Sequence, residues 1–206
     1  AKFIRGLQGA LARLKTFGMA LQNVGAGIRT AGLRLATLGA GLVTPLLLSA
    51  RAFSKMGDQL EKMSRRTGAS VEALSELGYA AELSGTNLEA VEIGIRRMQK
   101  TIAGAAEGGK EPSKALEMLG VNLGEIIQLA PDEQLDLIGK RLTALTDPTI
   151  RAAAAMAIFG RSGTELLPMM EEMGALRAEA RRLGFVMSTE DARSAAILND
   201  AMDRLW

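Results

Sequence analysis

Thr86-Asn87-Leu88-Glu89-Ala90-Val91-Glu92-Ile93-Gly94-Ile95-Arg96-Arg97-Met98-Gln99-Lys100-Thr101-Ile102-Ala103-Gly104 is the stretch whose reading decides the fold. Leu88, Val91, Ile95, Met98 and Ile102 recur at alternating spacings of three and four. That is the period of a helix with one apolar seam, of the kind two helices share in a coiled coil. Glu92 and Arg96 sit four residues apart on its flank, where opposite charges support a helix. Thr86 with Glu89 three residues later predicts a capping box at its start.

The same grammar repeats outward from this segment. Thr67-Gly68-Ala69-Ser70, Ser84-Gly85-Thr86-Asn87 and Leu119-Gly120-Val121-Asn122 each place a glycine where a helix can end, followed by a Ser, Thr or Asn able to cap the next one. Asp147 before Pro148 reads as a cap with proline in the first helical position, and Ser188 with Glu190 and Asp191 opens a last helix. Ala105–Glu111, with Gly108-Gly109, reads as a flexible link. Short helices are predicted at about 112–119, 123–129, 131–145, 148–159, 163–173, 175–183 and 189–205. Strand formers are too sparse for a sheet, with five Phe, one Tyr and one Trp in 206 residues. The predicted class is all-α: a long N-terminal amphipathic helix followed by an array of short helices.

The N-terminal helix carries an unusual repeat. Written in sevens from Ile4, the first position becomes Gly18, Gly25, Gly32 and Gly39, and the fourth is Leu7, Leu14, Leu21, Ile28, Leu35 and Leu42. Each mid-helix glycine costs about 1 kcal/mol relative to alanine. Close approach of another helix backbone can offset this, so the repeat predicts tight helix packing or self-association in several copies, a trimer among the options. The alternative is a frayed helix with no defined partner. Leu35 to Ala50 is free of charge between Arg34 and Arg51. A spanning helix needs about 20 apolar residues, so this run reads as a marginal transmembrane or interfacial segment. Pro45 is expected to kink or break the helix.

Charge divides the chain. Residues 1–57 hold eight basic residues and no acid, while the other 17 basic residues and all 23 acids follow Gly57. The organisation expected is a basic helical segment at 1–55, a helical module at 56–170, and further helices at 171–206. The apolar spacing of Ala195, Leu198, Met202 and Leu205 up to the last residue suggests continuation into a longer polypeptide.

Chemistry is poorly supplied. The chain has no Cys and no His, which removes thiolate sites, the commonest metal ligand and the usual general base. No enzyme, cofactor or metal site is expected. Arg96-Arg97 with Lys100, and Arg177 with Arg181-Arg182, read as solvated helix faces. Without interleaved aromatics they offer DNA only weak contact; the basic N-terminal stretch suits DNA or anionic lipid better, and the inner wall of an acidic tube equally well. Gly160-Arg161-Ser162-Gly163-Thr164 lacks the Gly-Lys-Ser/Thr ending of a phosphate loop. It reads as a tight turn, with Ser162 or Thr164 capping the next helix.

Four phrases carry a resemblance. They are Met56-Gly57-Asp58-Gln59-Leu60-Glu61-Lys62-Met63, Thr67-Gly68-Ala69-Ser70-Val71-Glu72-Ala73-Leu74-Ser75-Glu76-Leu77, Asp147-Pro148-Thr149-Ile150-Arg151-Ala152-Ala153 and Ile158-Phe159-Gly160-Arg161-Ser162-Gly163-Thr164-Glu165-Leu166-Leu167-Pro168. In order and separation they resemble a block of bacteriophage tail tape-measure proteins. The resemblance covers roughly half the chain and leaves residues 1–55 matched by character only. It implies a structural protein inside the tail tube that sets tail length and is released during genome ejection. The implied partners are further copies of itself, the tail tube protein, tail-tip or baseplate hub proteins, tail assembly chaperones and the host inner membrane. The implied locations are the tail lumen of the virion and, during assembly, the host cytoplasm. The competing expectation is a membrane-inserting, pore- or channel-forming helical protein acting through residues 28–50.

Overall fold

A computed structural model describes residues 43–204 of the chain. The glycine heptad and its apolar companions from Leu7 to Leu42 lie outside these residues. The described residues are all-helical, with no strand among them. The elements are α1 (Val43–Thr67), α2 (Val71–Leu83), α3 (Leu88–Ala106), α4 (Lys110–Met118), α5 (Leu123–Ile126), α6 (Pro131–Thr143), α7 (Pro148–Phe159), a 3-10 segment (Arg161–Leu166), α8 (Leu167–Leu183) and α9 (Thr189–Asp203).

The chain divides into two compact units. Met63–Val186 forms one; residues 43–62 and 187–204 are the described part of the other. α1 spans residue 55 and α8 spans residue 170.

In the Met63–Val186 unit, α3 packs against α2, α4, α5, α6, α7 and the 3-10 segment, while α8 packs against α2 and α6. Glu76 meets Arg177 and Arg181 while Tyr79 meets Phe185, so α2 and α8 run in the same direction. Asp136 meets Arg177 while Gly139 faces Met170 and Met173, so α6 runs against α8. Leu74, Leu77, Ile95, Met98, Ile126, Leu135, Ile138, Leu142, Ile158 and Phe159 are fully buried. Apart from Phe159, this core is aliphatic and thioether, as the scarcity of aromatics requires.

The joints are built by the side chains that the sequence offers. Thr67 donates its hydroxyl to the Met63 carbonyl at 2.8 Å, Gly68 turns with φ +74°, and the Ser70 hydroxyl accepts from Ala73 N–H at 3.1 Å. Asn122 accepts from Glu125 N–H. Asp147 Oδ1 accepts from Thr149 and Ile150 N–H at 2.7 and 3.2 Å, and Ser188 accepts from Asp191 N–H at 3.1 Å. Each satisfies helix-start donors that would otherwise be orphaned.

Several local expectations are corrected. The cap of α3 is Asn87, whose side chain accepts from Ala90 N–H at 2.9 Å, and not Thr86. Asn87 directly precedes the first helical residue, where its short amide reaches the third N–H. Glu92 is paired with Arg66 at 3.2 Å and not with Arg96, because the last turn of α1 lies beside it and buries its carboxylate. The pair lacks hydrogen-bond alignment. The expected link at Ala105–Glu111 is a tight turn, with Gly108 at φ +82° and α4 already under way at Lys110. α8 continues through Gly174 where a break was expected, because its buried stripe of Met170, Met173, Arg177 and Ala180 spans the glycine.

In the second unit, Gly57 of α1 lies directly against α9. A β-carbon at residue 57 would collide with the Ala195 methyl and lie 3.3 Å from the Ala192 backbone. Gly57→Val is therefore expected to destabilise this contact by about 1–3 kcal/mol. The check is loss of amide-exchange protection in α9. Unchanged protection would refute the contact.

Candidate functional site

The seam read in the sequence is spent on the interior. Val91, Ile95, Met98 and Ile102 are buried within their own unit, and Leu88 is half-buried, with its methyls toward Gly78. These four are core side chains and do not form an open seam. Gly18, Gly25, Gly32, Gly39, Leu7, Leu14, Leu21, Ile28, Leu35 and Leu42 lie outside the described residues.

The feature that sequence reading missed is a buried ion cluster. Arg177 on α8 is 8% exposed and Glu76 on α2 is 5% exposed. Arg177 Nε donates to Glu76 Oε2 at 2.8 Å, Nη1 to Asp136 Oδ1 at 2.9 Å and Nη2 to Asp132 Oδ2 at 3.4 Å. Arg181, one turn on, donates to both Glu76 oxygens at 3.1 Å. One planar guanidinium thus joins three helices, a task its fixed fork of donors suits better than a lysine would. Burial opposes the charge on Arg177. The Glu76 hydrogen bond and the fields of Asp136 and Glu76 outweigh it and hold the guanidinium above its ordinary pKa. Arg177 was read as part of a solvated face. The overlooked signal is its place in the stripe Met170, Met173, Arg177, Ala180, just as Glu76 interrupts the stripe Ala73, Leu77, Ala80. A charge on each of two apolar stripes is the pattern of a buried pair.

The second cluster surrounds Phe159-Gly160-Arg161-Ser162-Gly163. Gly160 has φ +77° and ψ −165°, a region essentially reserved for glycine. The Arg97 side chain lies over it, with Cδ and Cζ each 3.1 Å from where a β-carbon would be. Gly163 nestles against the Ala155 carbonyl and Phe159. Gly94 leaves room on α3 for Leu166, whose Cδ1 would be 2.6 Å from a β-carbon there. This is the tight turn that was expected, but no side chain caps α8. The 3-10 segment runs directly into it.

Among the described residues there is no acidic group arranged to hold a metal ion. No helix among them is long and apolar enough to cross a membrane. No family model, curated protein or solved structure matches the chain. What the described geometry provides is rigid junctions between helices, clamped by one buried guanidinium and by glycines at close contacts.

Proposed function

We propose that this chain is a structural segment of a phage tail tape-measure protein, one that sets tail length inside the tail tube and leaves during genome ejection. The observation that supports this most is where the four quoted phrases fall. Met56–Met63 holds the Gly57 contact with α9, Thr67–Leu77 supplies the Thr67–Ser70 joint and Glu76, Asp147–Ala153 supplies a cap, and Ile158–Pro168 supplies the Gly160–Gly163 turn. Arg151 in the third phrase also donates to the Leu145 carbonyl from Nε and Nη2, at 3.0 and 2.7 Å, and to Glu171 at 3.1 Å. Residues clustered at joints between helices suit a role in which shape is the function. The partners in this reading are further copies of the chain, the tube and tip proteins and tail assembly chaperones, within the tail lumen.

The test is tail length by electron microscopy in phage whose copy of this protein lacks residues 11–24, two heptads of the N-terminal repeat. The expected result is shortening by about 1.5 Å per deleted residue, roughly 20 Å in all. Unchanged length overturns the ruler. The rival, membrane insertion through residues 28–50, rests on the charge-free Leu35–Ala50 run. It requires release of dye from anionic vesicles.

A further inference from the structure

From the surface around α3 we infer a binding face for the phosphate backbone of a nucleic-acid duplex. Arg96, Arg97 and Lys100 form an exposed ridge on α3. The fold adds cations to it from two other elements that sequence proximity does not suggest. On one flank, Glu92 pairs with Arg66, and Gln99 donates to the Thr67 carbonyl at 2.6 Å. Residues 92, 96 and 99 share one side of the helix, so the exposed Arg66 at the end of α1 lies on the Arg96 side. On the other flank, Thr101 donates to the Ile158 carbonyl at 3.1 Å and Arg97 lies over Gly160, which brings the exposed Arg161 alongside. Five cations from three elements therefore share one face of a unit whose net charge is not basic. Glu92 is already bound by Arg66, and no carboxylate among the described residues is within ion-pair distance of Arg96, Lys100 or Arg161.

Several features select the partner. Arg96, Arg97 and Arg161 carry forked donors that match phosphate bidentately. No aromatic side chain lies among them, so single-strand base stacking has no platform and contact falls to the backbone. Ile93 is the one large apolar side chain on this ridge, and at 40% exposure it does not make an apolar docking face. Arg96 and Lys100, one helical turn apart on α3, lie within the roughly 8 Å screening length of physiological salt, so their potentials add.

The experiment measures binding of the full chain to a fluorescent 20-base-pair DNA duplex by anisotropy, as a function of salt. The comparison is with Arg96→Gln/Lys100→Gln/Arg161→Gln, and with Lys114→Gln/Lys140→Gln/Arg141→Gln, which removes three exposed cations from α4 and α6. Comparing two triple variants cancels whatever residues 1–57 contribute. The first triple variant is expected to bind at least about tenfold more weakly and to lower the slope of log affinity against log salt by about 3, one per lost phosphate contact. The second is expected to change the slope by less than about 1. All three residues are exposed, so unfolding curves should be unaltered. Equal slopes for the two variants overturn the proposal. So does retention of poly-glutamate through the same three residues when the duplex is not retained, which assigns the face to an acidic protein.

Discussion

Glu76→Ala is expected to cost the chain about 3–5 kcal/mol, the largest effect of any single substitution in the Met63–Val186 unit. The loss comes from what remains behind. Arg177 stays buried with its charge, and its Nε–H loses the one carboxylate in the cluster that is itself buried. Asp132 and Asp136 are more exposed and hold the guanidinium only from the solvent side. The companion variant tells more. Glu76→Leu/Arg177→Met replaces the buried pair with apolar groups of similar size and is expected to recover most of the loss, because desolvating both charges offsets much of their attraction. Urea unfolding of the full chain, followed by circular dichroism, checks both. A single variant within about 1 kcal/mol of the parent would show that the pair is not buried as described. A double variant no better than the single would mean that the cluster stabilises beyond removal of an orphaned charge.

The second large effect is a contrast of sign between two glycines. Gly163→Ala places a methyl against the Ala155 carbonyl, whose carbon would lie 2.8 Å away, and 3.0 Å from the Phe159 β-carbon. Backbone cannot move aside as a side chain can, so the cost is expected at the upper end of about 1–3 kcal/mol. Gly174→Ala, in the exposed middle of α8, meets nothing within 4 Å and is expected to stabilise by about 0.5–1 kcal/mol through helix propensity alone. Thermal unfolding of the two variants should bracket the parent. Equal shifts in one direction would defeat the packing described at the Gly160–Gly163 turn.

What the sequence makes legible here is local. Ser70, Asn122, Asp147 and Ser188 announce their helix starts because a cap acts within three residues. The α3 seam announces itself because helical period is local. The failures are where a distant element decides. Gly174 looks like a stop until the buried stripe on both sides of it is packed against α2 and α6. Arg96 looks like the partner of Glu92 until Arg66 arrives from α1. Arg177 and Glu76 are 101 residues apart, and no spacing rule connects them. The cationic face around α3 was invisible for the same reason. Two arginines and a lysine on one helix read as ordinary solvation, and only the fold brings Arg66 and the Arg161 turn to the same helix.

The pairing of α2 with α8 also bears on how the chain comes into being. These are the first and last complete helices of the Met63–Val186 unit, and theirs is its most extensive helix contact. A ribosome releasing the chain from its N-terminus delivers Glu76 and the apolar stripe of α2 about a hundred residues before their partners. Until α8 emerges, that stripe has only nearer neighbours to cover it, and the loop to be closed is nearly the whole unit. Completion of the unit is thus tied to completion of its synthesis. A chain cut short before Arg177 keeps an acid on an apolar face, exposed to other nascent chains and to whatever chaperone attends them.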